Sequence, residues 1–201
     1  MIKKRNIVLD TETTGLSINE GHRIIEIGCV ELINDKITGE KFHTYINPER
    51  SIPIETTLIH GITDSDVQDQ PIFAEIADEF LSFIGDSTLI IHNAGFDISF
   101  LNHELKNINK KTIQSDKAID TLEIARKYFP GERVSLNALC KKFNISLESR
   151  KMHGALIDSL LLAEVYFFIT KKMEIQSSLN LHQNTKIGLS IKIYLQKKLD
   201  T

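Results

Sequence analysis

Short apolar runs, alternations and helical spacings divide this chain into strands and helices. Residues 5–12, Arg-Asn-Ile-Val-Leu-Asp-Thr-Glu, form an apolar run that ends in acids just before Thr14-Gly15. That is the pattern of a strand buried on both faces and closed by a turn. Residues 24–34 predict a second strand, ended by Asn34-Asp35, and residues 37–46 a third. Their short connections predict an antiparallel meander. After Pro71, the positions Ile72, Ile76, Phe80, Phe83 and Ile84 fall at helical spacing. Residues 88–92 predict a short buried strand, and Asn93-Ala94-Gly95 turns the chain into a helix from Phe96 to about Leu105. An extended stretch near Ile113–Ile119 comes next, then helices over 121–129 and 135–143 parted by Pro130-Gly131, and a long helix from about Gly154 to Thr170. This order predicts an α/β domain with a mixed sheet.

Length and composition narrow the picture. The chain has 201 residues, 41% hydrophobic and 25% charged, enough for one compact domain with its own core. We assign residues 1–172 to that domain and residues 173–201 to a C-terminal tail, because composition changes at Lys171-Lys172. Residues 171–201 hold six Lys and two acids, so a net charge of −3 overall leaves −7 on the body. An acidic body either repels polyanions or uses its acids to hold cations. Cys29 and Cys140 lie in apolar contexts and read as buried free thiols. No apolar run approaches the roughly 20 residues of a membrane helix, and the basic start is broken by Asp10 and Glu12. The expected location is cytoplasmic.

Several acids do not suit the elements that carry them. Residues i and i+2 of a strand share a face, so Val8, Asp10 and Glu12 point to one side, with the two carboxylates about 6–7 Å apart. At the end of a buried strand they repel each other and lose solvation. Either the strand ends there in solvent, or a cation lies between them. Oxygen ligands suit Mg²⁺ or Mn²⁺ better than Zn²⁺. Asp158 falls on the same helical stripe as Leu161, Leu162, Val165 and Ile169. A core-facing carboxylate needs a proton, a basic partner or a metal. His153 precedes it by five residues, about 140° away around a helix, so the two converge only if His153 stands in the loop before the helix. There it would be either a surface histidine or a general base. Asp97 lies in the first turn of a helix, where an acid complements the dipole, yet the crevice beyond the strand ends could collect it as well. Four acids and a histidine from three distant segments make up the set that two-metal phosphoryl chemistry requires.

Asp10-Thr11-Glu12-Thr13-Thr14-Gly15, His92-Asn93-Ala94-Gly95-Phe96-Asp97 and His153-Gly154-Ala155-Leu156-Ile157-Asp158 resemble the three motifs of the DEDDh 3′→5′ exonucleases, in order and in approximate spacing. Within that superfamily the chain is most similar to the proofreading, or epsilon, subunits of bacterial DNA polymerase III, over about residues 5–181. The resemblance implies an RNase H-like fold with a five-stranded mixed central sheet flanked by helices. It implies two divalent cations, Mg²⁺ or Mn²⁺, with Asp10, Glu12 and Asp158 as direct ligands and Asp97 supporting the second ion, by way of water. His153 would deprotonate the attacking water, giving a rate that rises with pH through the histidine range. Asp10, Glu12, Thr13, Leu16, Glu55, His60 and Asp158 would meet the 3′-terminal nucleotide, and 5′-mononucleotides would leave.

The tail carries a second resemblance. Gln176-Ser177-Ser178-Leu179-Asn180-Leu181 is similar to sliding-clamp-binding peptides, with Leu179 and Leu181 filling an apolar pocket and Gln176 bonding at its edge. The implied partners are a DNA 3′ end, the polymerase III catalytic subunit, the sliding clamp and a small accessory subunit. Two other readings remain open at this point. One is a DEDDh exoribonuclease that processes RNA, because the catalytic residues do not separate RNA from DNA. The other is a non-catalytic scaffold that bridges polymerase and clamp.

Overall fold

The computed structural model describes residues 4–148, 150 and 152–173. Five strands form one sheet in the order β3-β2-β1-β4-β5: β1 (Arg5–Thr13), β2 (Ile24–Ile33), β3 (Lys36–Tyr45), β4 (Thr88–Ile91) and β5 (Ala118–Asp120). The first three make the antiparallel meander, and β4 and β5 add in parallel beside β1. The hairpin between β2 and β3 turns at Asn34 and Asp35, both at positive φ, where Asn and Asp are tolerated. The sheet is therefore mixed, and β1 lies at its centre, where chain direction changes.

Helices α1 (Ile54–His60), α2 (Asp64–Val67), α3 (Phe73–Ile84), α4 (Ala94–Asn107), α5 (Thr121–Tyr128) and α6 (Leu136–Lys142) follow in order. A further helix, α7, begins at residue 155. One sheet face, with Ile7, Leu9, Ile27 and Cys29, packs on α3 and α4 through Phe73, Phe80, Phe100 and Leu101. On the other face Val8 and Ile90 pack on Leu162, Ala163 and Tyr166 of α7. Cys29 and Cys140 are both buried and free, as their apolar contexts predict.

The compact unit spans Met1–Tyr166, and a second unit spans Phe167–Thr201. Of the second unit, residues 167–173 are described; they are helical, and Lys171 Nζ stands 4.4 Å from the Phe167 ring centroid. Among the described residues, no helix is long and apolar enough to cross a membrane.

Two helices depart from the sequence expectation. Neither α1 nor α2 shows an apolar stripe: α1 leaves Ile54, Leu58 and Ile59 exposed, and α2 has four residues. Both are set by local bonds. Gly61, at φ 78°, closes α1 with its N–H on Thr57 O at 2.7 Å, and Asp66 Oδ2 accepts from the Thr63 amide at 2.8 Å at the start of α2.

Candidate active site

The acids are brought together by the two alternations that build the core. Val8 packs on Leu162, so Asp10 and Glu12, two and four residues further along the same face, run towards the start of α7. Asp158 is one helical turn before Leu162 and meets them there. Ligand atoms of Glu12, His153 and Asp158 lie within 4.8 Å of one another.

Gly28 sets how closely α7 approaches. It stands opposite Asp10 in the β1–β2 ladder. A Cβ at Gly28 would fall 2.3 Å from both the Ala155 carbonyl carbon and the Leu156 nitrogen. Ser159 Oγ completes the junction by donating to Gly28 O at 2.8 Å. Its neighbour on the same face, Glu26, pairs with Glu12 across the ladder and is 3% exposed. One Glu26 oxygen accepts from the Ala155 amide at 3.0 Å, at the N-terminus of α7, and the other lies 2.7 Å from His43 Nε2.

Asp97 arrives from the other side of β1. Strand β4 pairs with β1 only as far as Val8, so the Thr11 amide extends beyond the parallel ladder. It donates to Asp97 Oδ1 at 3.0 Å, and Thr11 Oγ1 donates to the same oxygen at 2.7 Å. Asn93, in the left-handed region at φ 74°, starts α4. Asp120, at the end of β5, accepts from the Asn93 and Ala94 amides at 3.1 and 3.0 Å. Two turns further along the same side of α4, Glu104 accepts a two-pronged bond from Arg23 at 2.6 and 2.7 Å, which ties the helix to the residue just before β2.

Such crowding has electrostatic consequences. Burial, then Asp97 and Glu12, push Asp10 well above the ordinary carboxylate range. Burial, with Asp158 and Glu26 adding to it, pushes Glu12 up to about 8. Asp97 is pushed up to about 7, chiefly by burial and against the Thr11 bonds. Each of these carboxylates is short of positive charge. Asp158 Oδ1 is buried and accepts no hydrogen bond. An oxygen-rich donor set with an orphaned carboxylate oxygen and two neighbours held near neutrality fits a hard divalent cation.

His153 stands in the loop before α7, as convergence requires, and its amide donates to Ile59 O at 3.4 Å. Thr13 Oγ1 donates to Gly15 O at 2.6 Å and shapes the turn that leaves Leu16 83% exposed beside the acids. Gly15 packs directly on the His22 ring, which a Cβ would overlap at 2.3 Å. His60 is buried in α1; its Nδ1 accepts from the Ile62 amide at 3.0 Å, and its Nε2 has no partner. Burial holds the His60 ring below the ordinary histidine range. Glu55 is exposed in the first turn of α1. A groove of about 470 Å³ runs past Asp10, His92, Arg126, Arg150, His153 and Asp158. The clamp-like residues Gln176, Leu179 and Leu181 lie outside the described residues.

The exonuclease family model, RNase_T, matches residues 7–166, the stretch that carries all of these acids. Over 173 residues the chain is 55% identical to the DNA polymerase III subunit epsilon of Rickettsia typhi, covering 85% of this chain and 76% of that one. The chain belongs to the DNA polymerase III epsilon family of exonucleases. Among solved structures it is similar to exonuclease X in complex with 5′ overhanging duplex DNA, at 27% identity and a TM-score of 0.66, over 83% of this chain and 92% of that one. The nuclease domain of 3′hExo bound to rAMP, a DEDDh family member, matches at 19% identity and a TM-score of 0.73, over 85% of this chain and 94% of that one, and shows the shared fold. As an epsilon-family exonuclease, the chain carries its family's divalent-metal chemistry on a five-stranded mixed sheet.

Sequence reasoning missed two contributors to this site. Glu26 had a signal, an acid inside the apolar strand Ile-Ile-Glu-Ile-Gly, and it pairs directly with Glu12 on the same face of the sheet. Arg150 had none, since a cation in a stretch without periodicity reads as solvated.

Proposed function

We propose that this exonuclease removes mispaired nucleotides from the 3′ end of DNA and releases 5′-mononucleotides. The observation that carries the reading is the convergence of Glu12, His153 and Asp158 within 4.8 Å, beside Asp10 and Asp97, in a chain of the epsilon family. Asp10, Glu12 and Asp158 would hold Mg²⁺ or Mn²⁺, with Asp97 supporting a second ion. When bound, the cations supply Lewis-acid activation of water and neutralise charge growing on the phosphate. His153 takes the proton from the attacking water, a task that requires an unprotonated ring nitrogen. Thr13 holds the 14–16 turn against the terminal nucleotide, and exposed Leu16 offers its apolar side chain to the terminal base. His60, whose Nε2 is buried and unpartnered, and Glu55 at the start of α1 would complete the contacts to the terminal nucleotide. A mispaired end frays more readily, so it delivers a single strand to the groove faster than a paired one.

The family name further supports association with the polymerase III catalytic subunit. We assign the clamp contact to Gln176, Leu179 and Leu181, and leave room for a small accessory subunit. The test uses 5′-labelled single-stranded DNA, matched and 3′-mismatched primer-template, and single-stranded RNA, each with Mg²⁺, Mn²⁺ or chelator. Stepwise shortening of DNA, fastest on frayed ends, supports the proposal. A clear preference for RNA would replace it with RNA processing.

A further inference from the structure

Arg150 lies where a cation is wanted. Its side chain is 5% exposed, and one guanidinium nitrogen, Nη2, donates both to Asp158 Oδ2 and to His153 Nδ1, the latter at 2.7 Å. The other, Nη1, donates to Asn137 Oδ1 on α6. A guanidinium has only donors. His153 Nδ1 is therefore the acceptor in this arrangement, and the proton of the neutral ring lies on Nε2. Both ring nitrogens are then committed, one covered by Arg150 and the other carrying hydrogen. A base needs a free lone pair, so the imidazole in this pose has none to offer to water. The Asp158 oxygen beneath Arg150 is likewise engaged, while its sister Oδ1 accepts no hydrogen bond.

We infer that Arg150 is a positioning residue that competes with divalent metal for Asp158 and, while it holds that carboxylate, keeps the His153 lone pair covered. The inference rests on the proposed roles of Asp158 and His153. A guanidinium on Oδ2 and a divalent cation on Oδ1 would stand on the two oxygens of one buried carboxylate, close enough to repel each other strongly. Metal arriving at Asp158 drives Arg150 away, and the same displacement uncovers Nδ1. The base is thus made available only when the metal site is filled, which couples water activation to metal loading. Asn137 is the third anchor of this latch. It belongs to α6 and is neither a proposed metal ligand nor the proposed base, so it sets how firmly the latch closes.

The test measures metal binding and imidazole state in the full-length protein, without relying on turnover. Calorimetry with Mn²⁺ at about pH 8.5, above the values of about 8 for Glu12 and about 7 for Asp97, compares wild type with Arg150→Ala, Arg150→Lys and Asn137→Ala. Arg150→Ala is expected to bind metal more tightly, by roughly 5–150-fold, the usual span of coupling between two sites. Arg150→Lys and Asn137→Ala should shift affinity in the same direction and by less. Nitrogen-15 spectra of the histidine rings supply the second readout. In chelated wild type, His153 Nδ1 should resonate as a hydrogen-bonded acceptor, and either Mg²⁺ or Arg150→Ala should move it towards a free imine nitrogen. Weaker or unchanged metal binding in Arg150→Ala, or an Nδ1 resonance that neither change moves, overturns the inference. If wild type binds no divalent metal at all, the assignment of Asp158 as a ligand fails first, and the latch with it.

Discussion

Glu12 is ionisable in a place that disfavours its charge, and its pH behaviour follows with a definite sign. Its folded-state pKa of about 8 exceeds the ordinary 4.5. Between those values the folded chain keeps a proton that the unfolded chain has released, so stability falls as pH rises through that window. Below about 4.5 both states are protonated and the penalty vanishes. Chelated protein should therefore melt at progressively lower temperature from about pH 5 to about pH 8, and Mg²⁺ should restore most of the loss, as thermal melts can check. The same protons compete with metal. Apparent metal affinity should weaken as pH drops below about 8, first at Glu12 and then at Asp97, whose pKa is about 7. His153 carries a separate expectation. His153→Ala should lower kcat by about 10²–10⁴-fold, the usual value of a general base, while metal affinity by calorimetry stays within a few-fold. At this scale Asp10, Glu12 and Asp158 were legible because each is a charge where the local pattern demands an apolar side chain. Arg150 was not, because its role depends on a loop folding back over α7, which no periodicity encodes.

Helix α7 and strand β2 meet backbone to backbone, and that junction places Asp158 beside the β1 acids. Gly28→Ala would drive a methyl group into the Ala155 carbonyl, a contact that only movement of α7 relieves. Overpacking of this kind costs about 1–3 kcal/mol. We expect that loss in urea unfolding together with a larger fall in activity, because Asp158 and His153 move with the helix. Glu26→Gln keeps the shape of the side chain but weakens its hold on the Ala155 amide and on His43. It should leave unfolding nearly unchanged and slow turnover, a split that distinguishes positioning from stability. The strands and the long helices were readable because their apolar periods are strong. Helices α1 and α2 were not, because they bury few side chains and are defined by Gly61 and Thr63 rather than by an apolar face. Helix α1 brings Ile59 and His60 to the loop that holds His153, so one of the least legible elements also carries part of the site's wall.

At the scale of the whole chain, charge and topology act together. Residues 1–170 carry −7 and residues 171–201 carry +4, so an acidic body must accept a polyanionic strand. Divalent cations held by the body's own acids, as we propose, would resolve that conflict at the reacting phosphate. The central sheet serves this end: β1 delivers Asp10 and Glu12, β4 leads into Asp97, and α7 returns Asp158 to both. The mixed order of strands was implied by the sequence of elements, whereas the meeting of three distant segments had to be read from motif resemblance and is now given by register. On the proposed function, metal held by these acids is required for cleavage at a DNA 3′ end. The most direct measurement pairs Mn²⁺ calorimetry with single-turnover cleavage of a 5′-labelled, 3′-mismatched primer-template, for wild type and Glu12→Gln. The variant should lose metal binding and cleavage together, and chelator should abolish cleavage by wild type. Cleavage that persists in chelator, or a Glu12→Gln protein that cuts at the wild-type rate, would contradict that requirement.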